Sequence, residues 1–162
     1  MKLESLRDLL LEQLSDLYDA ENRITKALPK MAKAASSPEL KAAFQKHLKE
    51  TEGQVERLEQ AFEALGQKAK KKTCLAIKGL IEEGEETIQE DAEPEVKDAA
   101  LIAAAQRVEH YEMAGYGTVC AYAKLLKEKE VLKLLKQTMA EEVATDEALS
   151  ELAESTINLE AV

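Results

Sequence analysis

The amino-acid sequence predicts an all-α fold: a four-helix bundle with an additional crossover helix between the second and third long helices. Ala, Leu, Glu and Lys dominate the chain, whereas Gly and Pro are scarce, at 6 and 3 of 162 residues. In four long segments apolar residues recur at alternating spacings of three and four, the period of one helix face. The length suits one core, so we expect residues 1–162 to form a single domain.

Local signals delimit the first two long helices. The first periodic stretch runs from about Leu3 to Ala35, and Pro29 inside it should kink its last part. The sequence SSPEL then predicts a helix start, with Ser37 as the N-cap and Pro38 at the first helical position. We expect this second helix to end at Gly66, because Gly commonly terminates helices.

The rest of the chain predicts the crossover helix and two more long helices. After the basic linker GQKAKKKT, Thr73 should cap a shorter helix that runs to about Glu90, and Pro94 should open the third long helix. The apolar stripe then slips in phase, which a turn at about Lys127 to Glu130 explains, with a kink as the alternative. A long connection through one short helix is typical of ferritin-like bundles.

Composition excludes several classes of function. A net charge of −10 leaves little positive field for the phosphates of nucleic acids, so we expect no nucleic-acid binding. No apolar run approaches the roughly 18 residues that cross a membrane, and the N-terminal segment reads as an amphipathic helix and not a signal peptide. Cys74 and Cys120 are isolated thiols. They fit a reducing compartment as buried structural residues, and we expect a cytoplasmic protein.

Each predicted helix stripe is apolar at both ends and polar at one level near its middle. The first two stripes consist of Leu10, Leu14, Leu17, Glu21, Ile24, Leu28 and Met31, and of Leu40, Phe44, His47, Thr51, Gln54, Leu58, Ala61 and Leu65. The last two consist of Leu101, Ala105, Val108, Glu112, Gly115, Val119, Tyr122 and Leu126, and of Leu132, Leu135, Met139, Glu142, Asp146, Leu149 and Ala153. The four helices therefore predict one shared polar layer inside the bundle.

Acidic residues in this layer predict a metal centre. A lone buried carboxylate costs several kcal/mol unless it is paired, and Lys and Arg fall mostly on the outer faces. Two divalent cations would neutralise four carboxylates with the oxygen ligands that hard cations prefer. The predicted ligands are Glu21, Glu50, Glu112 and Glu142, with Glu109, Asp146, His47 and Gln54 as further ligands or supporting groups. His47 is equally interpretable as a hydrogen-bonded core histidine, and His110 as a surface or interface residue.

The sequence also resembles the YciF/YciE-type bacterial stress proteins, which are ferritin-like. The resemblance covers nearly the whole chain and lies in LYDAEN (17–22), HLKETEGQVERLEQ (47–60), GLIEEG (79–84), DAALIAAAQRVEHYEMAGYGT (98–118) and EEVATDEAL (141–149). It implies a di-metal centre, a homodimer and a stress-linked bacterial role. We expect two divalent ions, iron first with manganese as the alternative. If the protein is an enzyme, which the sequence leaves open, we expect Fe(II) oxidation or peroxide reduction at that pair.

One departure from the wider di-iron pattern bears on this interpretation. Rubrerythrins and ferritins use Glu-x-x-His on ligand-rich helices, whereas here Gly53 follows Glu50 at that spacing and Thr145 follows Glu142. Fewer imidazoles predict an oxygen-dominated site, which favours plain metal binding, manganese or slow peroxide chemistry over dioxygen activation. The alternative is a non-enzymatic structural or stress protein, whose buried acids are protonated or water-bridged and fix the helix register.

Overall fold

The computed structural model describes residues 3–162, and within them the fold is all-α, as predicted. Its helices are α1 Leu6–Ala34, α2 Pro38–Ala64, α3 Leu75–Gln89, α4 Pro94–Leu125, α5 Lys129–Leu152, a π-helical turn Ala153–Ile157 and the short α6 Asn158–Glu160. Helices α1, α2, α5 and α4 form a closed ring of four packed neighbours, and α3 packs outside it against α4 and α1. The helix between the second and third long helices is therefore the predicted crossover.

Helices α2 and α4 begin at the predicted residues, whereas α1 begins at Leu6 and not at about Leu3. The Ser5 side chain caps α1 by accepting a hydrogen bond from the Asp8 amide at 3.1 Å, and the predicted cap Ser37 accepts one from Leu40 at 3.3 Å. Pro94 occupies the first position of α4. Helix α1 continues through Pro29 to Ala34, so this proline does not end it.

The turns that separate the helices rely on two residues with positive φ. Gly66, which follows α2, has a φ of 68°, a conformation that glycine adopts without steric cost. Lys127 has a φ of 61° and lies between the end of α4 and the start of α5. This confirms the turn inferred from the phase slip, which no Gly or Pro marks.

The predicted cap of the crossover helix is wrong. The residue at the N-cap of α3 is Cys74, not Thr73, and no side chain caps this helix. The Cys74 amide instead donates a hydrogen bond to Asp19 Oδ2 of α1 at 2.9 Å. A residue on another helix therefore fixes the start of α3, and the local sequence gives no signal of it.

The apolar core consists of two clusters with the polar layer between them. One cluster contains Leu28, Leu40, Phe44, Leu101 and Leu149, together with Cys74 and Ile77 from the α3 segment. The other contains Leu10, Leu14, Leu58, Phe62, Val119 and Leu135. Every residue of the predicted stripes on α1 and α2 is buried.

The predicted stripes on α4 and α5 are partly wrong. Val108, Gly115, Tyr122 and Leu126 are only half-buried, and the buried residues beside them are Glu109, Tyr116 and Ala123. On α5, Leu132, Met139 and Asp146 are half-buried, whereas Val131 and Thr138 are buried. Helix α4 contacts α1, α3 and α5, so small and apolar residues occupy most of its circumference and its period defines no single face.

None of the helices described has an apolar stretch of the length needed to pass through a lipid bilayer.

Candidate metal centre

Four buried side chains from three helices converge on one point in the polar layer. His47 from α2, Glu109 and Glu112 from α4, and Glu142 from α5 each place one ligand atom within 4.8 Å of the others. Glu21 from α1 is fully buried in the same layer, in electrostatic contact with Glu112. We call these five residues the central group. All four bundle helices therefore contribute to it.

Most polar atoms of the central group lack a hydrogen-bonding partner. Native proteins pair the great majority of their buried polar atoms. Here the buried side-chain atoms without a hydrogen bond are Glu21 Oε2, His47 Nε2, Gln54 Oε1, Glu109 Oε2 and both carboxylate oxygens of Glu112 and of Glu142. Among the described residues, such atoms occur in this layer alone. Their chemistry is that of a cation site in which ligand atoms face a shared space.

Tyr116 holds one end of the central group. Its hydroxyl is fully buried and donates a hydrogen bond of 2.5 Å to Glu21 Oε1, which leaves Glu21 Oε2 unpaired. The sequence analysis missed this residue because it placed Gly115 on the buried stripe. The available signal was spacing, since Tyr116 lies four residues after Glu112 and therefore on the same helix face.

The imidazole of His47 lies on the outer side of the central group, between Glu109 and the half-buried Glu50. Its Nε2 is 3.0 Å from Glu109 Oε1, an ion-pair distance without the geometry of a hydrogen bond. Its Nδ1 is 3.4 Å from Thr145 Oγ1 and 3.9 Å from Glu50 Oε2. The ring is thus held from its outer side, with Nε2 directed inward, as expected of a metal-binding histidine.

Burial and mutual repulsion favour protonated carboxyl groups in the layer. Burial raises the pKa of Glu21 to about 7, although the hydrogen bond from Tyr116 opposes that shift. Burial, followed by the charges of Glu21 and Glu142, holds the pKa of Glu112 well above its usual range. Burial and the neighbouring Glu109 do the same to Glu142.

The surroundings of His47 favour its charged form, whereas those of the carboxyl groups favour the neutral form. Burial alone would lower the pKa of His47, but the carboxylates of Glu109 and Glu50 outweigh it and raise that pKa to about 10. The imidazolium is then the one cation of the central group. A metal ion would have to displace its proton, together with those of the carboxyl groups.

Two predicted ligands lie outside the central group. The Glu50 side chain is 26% exposed and forms an ion pair with Lys46 at 3.3 Å. Asp146 is half-buried, accepts a hydrogen bond from Gln106 at 3.1 Å and lies 3.2 Å from the exposed His110. The location of His110 at the surface agrees with the sequence analysis.

Gln54 is buried at the level of the central group and is oriented by its neighbours. Its amide nitrogen donates to Glu141 Oε2 at 3.2 Å, and its Oε1 has no partner. Glu141 also receives both hydrogen bonds of an Arg57 guanidinium nitrogen, at 2.6 and 2.7 Å. Arg57 is largely buried, an exception to the expectation that Lys and Arg lie mostly on the outer faces, and its guanidinium contacts Glu141 and Thr138.

The residues present fit a divalent cation. His47, Glu109, Glu112 and Glu142 offer ligand atoms close enough to hold one metal ion, and with Glu21 the layer contains four carboxyl groups to offset cationic charge. The donor set is oxygen with one imidazole, and it includes neither thiol of the chain. Such donors suit iron and manganese.

Comparisons with known proteins identify relatives over the full length of the chain. The family profile described as Domain of unknown function (DUF892) matches residues 5–162. Protein YciF of Escherichia coli strain K12 is 47% identical over 162 residues, which cover 99% of this chain and 98% of YciF.

Three solved structures share the fold. That of the E. coli stress protein YciF has a TM-score of 0.92 at 47% identity and covers 96% of this chain and 98% of its own. YcfI of Rhodopseudomonas palustris, described as a candidate structural protein, has a TM-score of 0.90 at 46% identity and covers 92% and 95%. A Xanthomonas campestris protein at 21% identity, with a TM-score of 0.75 and 94% coverage of both chains, shows the fold alone. The chain therefore belongs to the DUF892 family and is a homologue of the stress protein YciF.

Proposed function

We propose that this protein is a ferritin-like metal-binding protein that holds two divalent ions, iron first and manganese as the alternative, in its central group. The observation that carries the proposal is the set of unpaired buried carboxylate oxygens on Glu109, Glu112 and Glu142. Left without a cation, these oxygens would cost several kcal/mol in desolvation and repulsion. Glu21 Oε2, His47 Nε2 and Gln54 Oε1 complete the proposed ligands.

The proposed reaction is the oxidation of Fe(II) or the reduction of peroxide. Bound iron would supply the electrons for this chemistry, while the protein controls protons and water around it. The Tyr116 hydroxyl, by its hydrogen bond to Glu21 Oε1, leaves Oε2 as the oxygen of that carboxylate available to a cation. The apolar clusters on both sides limit the access of bulk water, which strengthens the binding of cations by the carboxylates.

Two measurements test the proposal. Elemental analysis of protein purified without a histidine tag should find close to two metal ions per chain. Anaerobic addition of Fe(II), followed by oxygen or peroxide, should then produce the absorption of a carboxylate-bridged ferric pair. Metal without any spectral change would eliminate the redox chemistry, and protein that takes up no metal would eliminate the whole proposal.

A thermal test separates binding from chemistry. A ligand at 100 times its Kd stabilises the folded state by about 2.7 kcal/mol, so added Fe(II) or Mn(II) should raise the melting temperature and a chelator should reverse the rise. The exposed substitution Glu147→Gln on α5 is a matched control that removes one charge and should retain the full shift.

A second candidate function is that of a structural stress protein whose buried acids stay protonated. The raised pKa values of Glu21, Glu112 and Glu142 favour it, because neutral carboxyl groups can remain in an apolar layer without a cation. It predicts that neither metal nor chelator changes the melting temperature. In either case we propose a cytoplasmic homodimer, which sedimentation velocity and cell fractionation test directly.

A further inference from the structure

A small cavity between α2, α4 and α5 joins the central group to the protein surface. We call it the α2–α5 opening, and its volume is about 40 Å³. Its inner end is lined by His47 and Glu109, whose Nε2 and Oε2 atoms are buried without hydrogen bonds. Its outer end is lined by Glu50, Lys46 and the exposed Ala148.

A second cavity reaches Glu109 from the opposite side, between α1, α3 and α4. Its volume is about 30 Å³, and apart from Glu109 and the ion pair of Lys30 with Glu85 its lining is apolar: Ile24, Ala27, Leu28, Met31, Leu80, Ile81, Gly84, Ile88, Ala104, Ala105 and Val108. Between the half-buried Glu85 and the buried Glu109, a divalent cation would lose its water along an apolar lining that offers no ligand, which is costly. The two cavities therefore differ in the solutes that they can admit.

We propose that divalent cations reach the central group through the α2–α5 opening and that Glu50 is the protein ligand that receives them first. This inference rests on the proposed metal-binding function and deepens it by assigning an uptake site. Glu50 acts as a transfer residue at the mouth and does not belong to the resident ligands.

The small volume of the α2–α5 opening requires a residue at its mouth that replaces water as a ligand of the entering ion. One water molecule needs about 10–15 Å³ of such a cavity, so about 40 Å³ holds roughly three waters, fewer than the full hydration shell of a divalent ion. The ion must exchange water for protein oxygens as it passes. Glu50 offers a carboxylate at the point where the exchange begins, and its present partner, Lys46, is 71% exposed and 3.3 Å away. An exposed ion pair of this kind is weak, so a divalent cation can displace it.

His47 connects the mouth to the interior. Its Nδ1 side faces Glu50 at 3.9 Å and its Nε2 side faces Glu109 at 3.0 Å, so a single imidazole separates the two carboxylates. An ion released by Glu50 therefore meets the Nδ1 side of His47 first, and Nε2 with the unpaired Glu109 Oε2 lies on the far side of the ring. No second mouth residue of the opening carries a carboxylate.

The test follows the rate of Zn²⁺ uptake by the intact, metal-stripped protein, with a fluorescent zinc chelator that reports free Zn²⁺ in stopped-flow mixing. Zn²⁺ is redox-inert and binds such sites more tightly than Fe²⁺ or Mn²⁺. Glu50→Gln should slow uptake by about tenfold or more, because a charge at a channel mouth raises the local cation concentration by that order. The final stoichiometry should equal that of wild type. Glu52→Gln, an exposed substitution on the same helix, should change the rate less than about twofold.

A second pair of variants probes the path itself. Ala148→Leu narrows the α2–α5 opening and should slow uptake, whereas Gly84→Leu fills the apolar cavity and should not. A Cβ at Gly84 meets no atom within 4 Å, so this control should fold.

The outcomes separate the two proposals. Wild-type rates in Glu50→Gln, or slowing by Gly84→Leu instead of Ala148→Leu, overturn the uptake path while the central group stands. A lower final stoichiometry in Glu50→Gln makes Glu50 a resident ligand, which also overturns the transfer role. Failure of wild-type protein to bind Zn²⁺ or Fe²⁺ at all overturns both proposals.

Discussion

Two kinds of buried carboxylate occur in this bundle, and they differ in what surrounds their oxygens. Asp98, in the first turns of α4, accepts hydrogen bonds from the Ser36 and Ser37 amides at 2.8 and 2.7 Å. Asp19 accepts from Arg23 Nε at 2.6 Å and from the Cys74 amide at 2.9 Å. The carboxylate oxygens of Glu112, by contrast, accept no hydrogen bond. Burial alone therefore does not indicate a metal ligand, whereas burial without a hydrogen-bond donor leaves carboxylate oxygens free to bind a cation.

The electrostatic consequence also differs between the two kinds. Burial pushes the pKa of Asp19 upward, but Arg23 and the Cys74 amide outweigh it and hold that pKa below its usual range. Nothing offsets burial at Glu112, whose pKa is raised well above its usual range. Arg23 and the Cys74 amide thus stabilise the negative charge of Asp19, whereas only a proton or a metal ion can neutralise that of Glu112.

The largest expected effect is on metal affinity, when an unpaired acid of the central group is removed. Glu112→Gln should lower metal affinity by more than about 100-fold, since a direct ligand matters more than the supporting residues whose loss costs 10- to 100-fold. The metal-stripped variant should unfold at the same temperature as wild type or higher, because repulsion within the central group falls. Isothermal titration with Mn²⁺ and thermal melts in chelator measure both. If Glu112→Gln lowered the melting temperature without lowering Mn²⁺ affinity, Glu112 would have a structural role like that of Asp98.

The next largest expected effect is a fall in the unfolding free energy of the metal-stripped protein as pH rises. Glu21 has a pKa of about 7 when folded and 4.5 as its ordinary value, so its stabilisation is complete below pH 4.5 and disappears as pH rises through 7. That difference corresponds to about 3 kcal/mol. His47, with a pKa of about 10, extends the decline toward pH 10. Urea unfolding in chelator at pH 5, 7 and 9 should show decreasing free energies.

Saturating metal should reverse this trend, because protons and cations compete for the same atoms. A metal-stripped protein whose stability rises from pH 5 to 9 would contradict the raised pKa values.

Asp98→Asn tests the structural kind of acid and should cost about 1–3 kcal/mol of unfolding free energy. The Ser36 and Ser37 amides donate to different oxygens of Asp98, and in Asn one of these oxygens is replaced by an NH₂ group that cannot accept. Metal stoichiometry should stay that of wild type. Urea titrations measure the loss of stability, and elemental analysis measures the metal content. Loss of metal from Asp98→Asn would contradict the division into structural acids and proposed metal ligands.

Tyr116→Phe should give the smallest effect, about 1 kcal/mol of stability for one hydrogen bond. Glu21 Oε1 then lacks a donor, so the pKa of Glu21 moves further upward and the pH midpoint of metal binding rises with it. Binding titrations between pH 5 and 8 measure that midpoint, with Tyr122→Phe on the same helix as control. An unchanged midpoint would mean that Tyr116 only fills space.

The sequence was most informative where helices have one buried face. On α1 and α2 the stripes from Leu10 to Met31 and from Leu40 to Leu65 are buried at every predicted position. On α4 the same reasoning selected Val108 and Gly115 in place of Glu109 and Tyr116, because α3 covers a further side of that helix. At these two positions the predicted stripe was one residue too early, which explains why Tyr116 was missed.

The assignment of site residues depended on the same limit. Mid-stripe position identified Glu21, Glu112 and Glu142 as buried in the layer, and their role as ligands stays a prediction. Position on a helix did not reveal that Gln106 and His110 of α4 contact Asp146 of α5, because these contacts come from packing between two helices. The Lys46–Glu50 pair, by contrast, is an i,i+4 contact within α2 that the spacing of the two residues could have predicted.

The hydrogen bonds of Asp98 have a consequence for synthesis on the ribosome. Ser36 and Ser37 form the link between α1 and α2, yet the acceptor for the Ser36 amide lies 62 residues later in the chain. At roughly 5–20 residues per second, translation takes about 3 to 12 seconds to cover that interval. The nascent hairpin therefore stays incomplete until α4 has begun to leave the exit tunnel, and its final turn is among the last parts of the first half to become rigid.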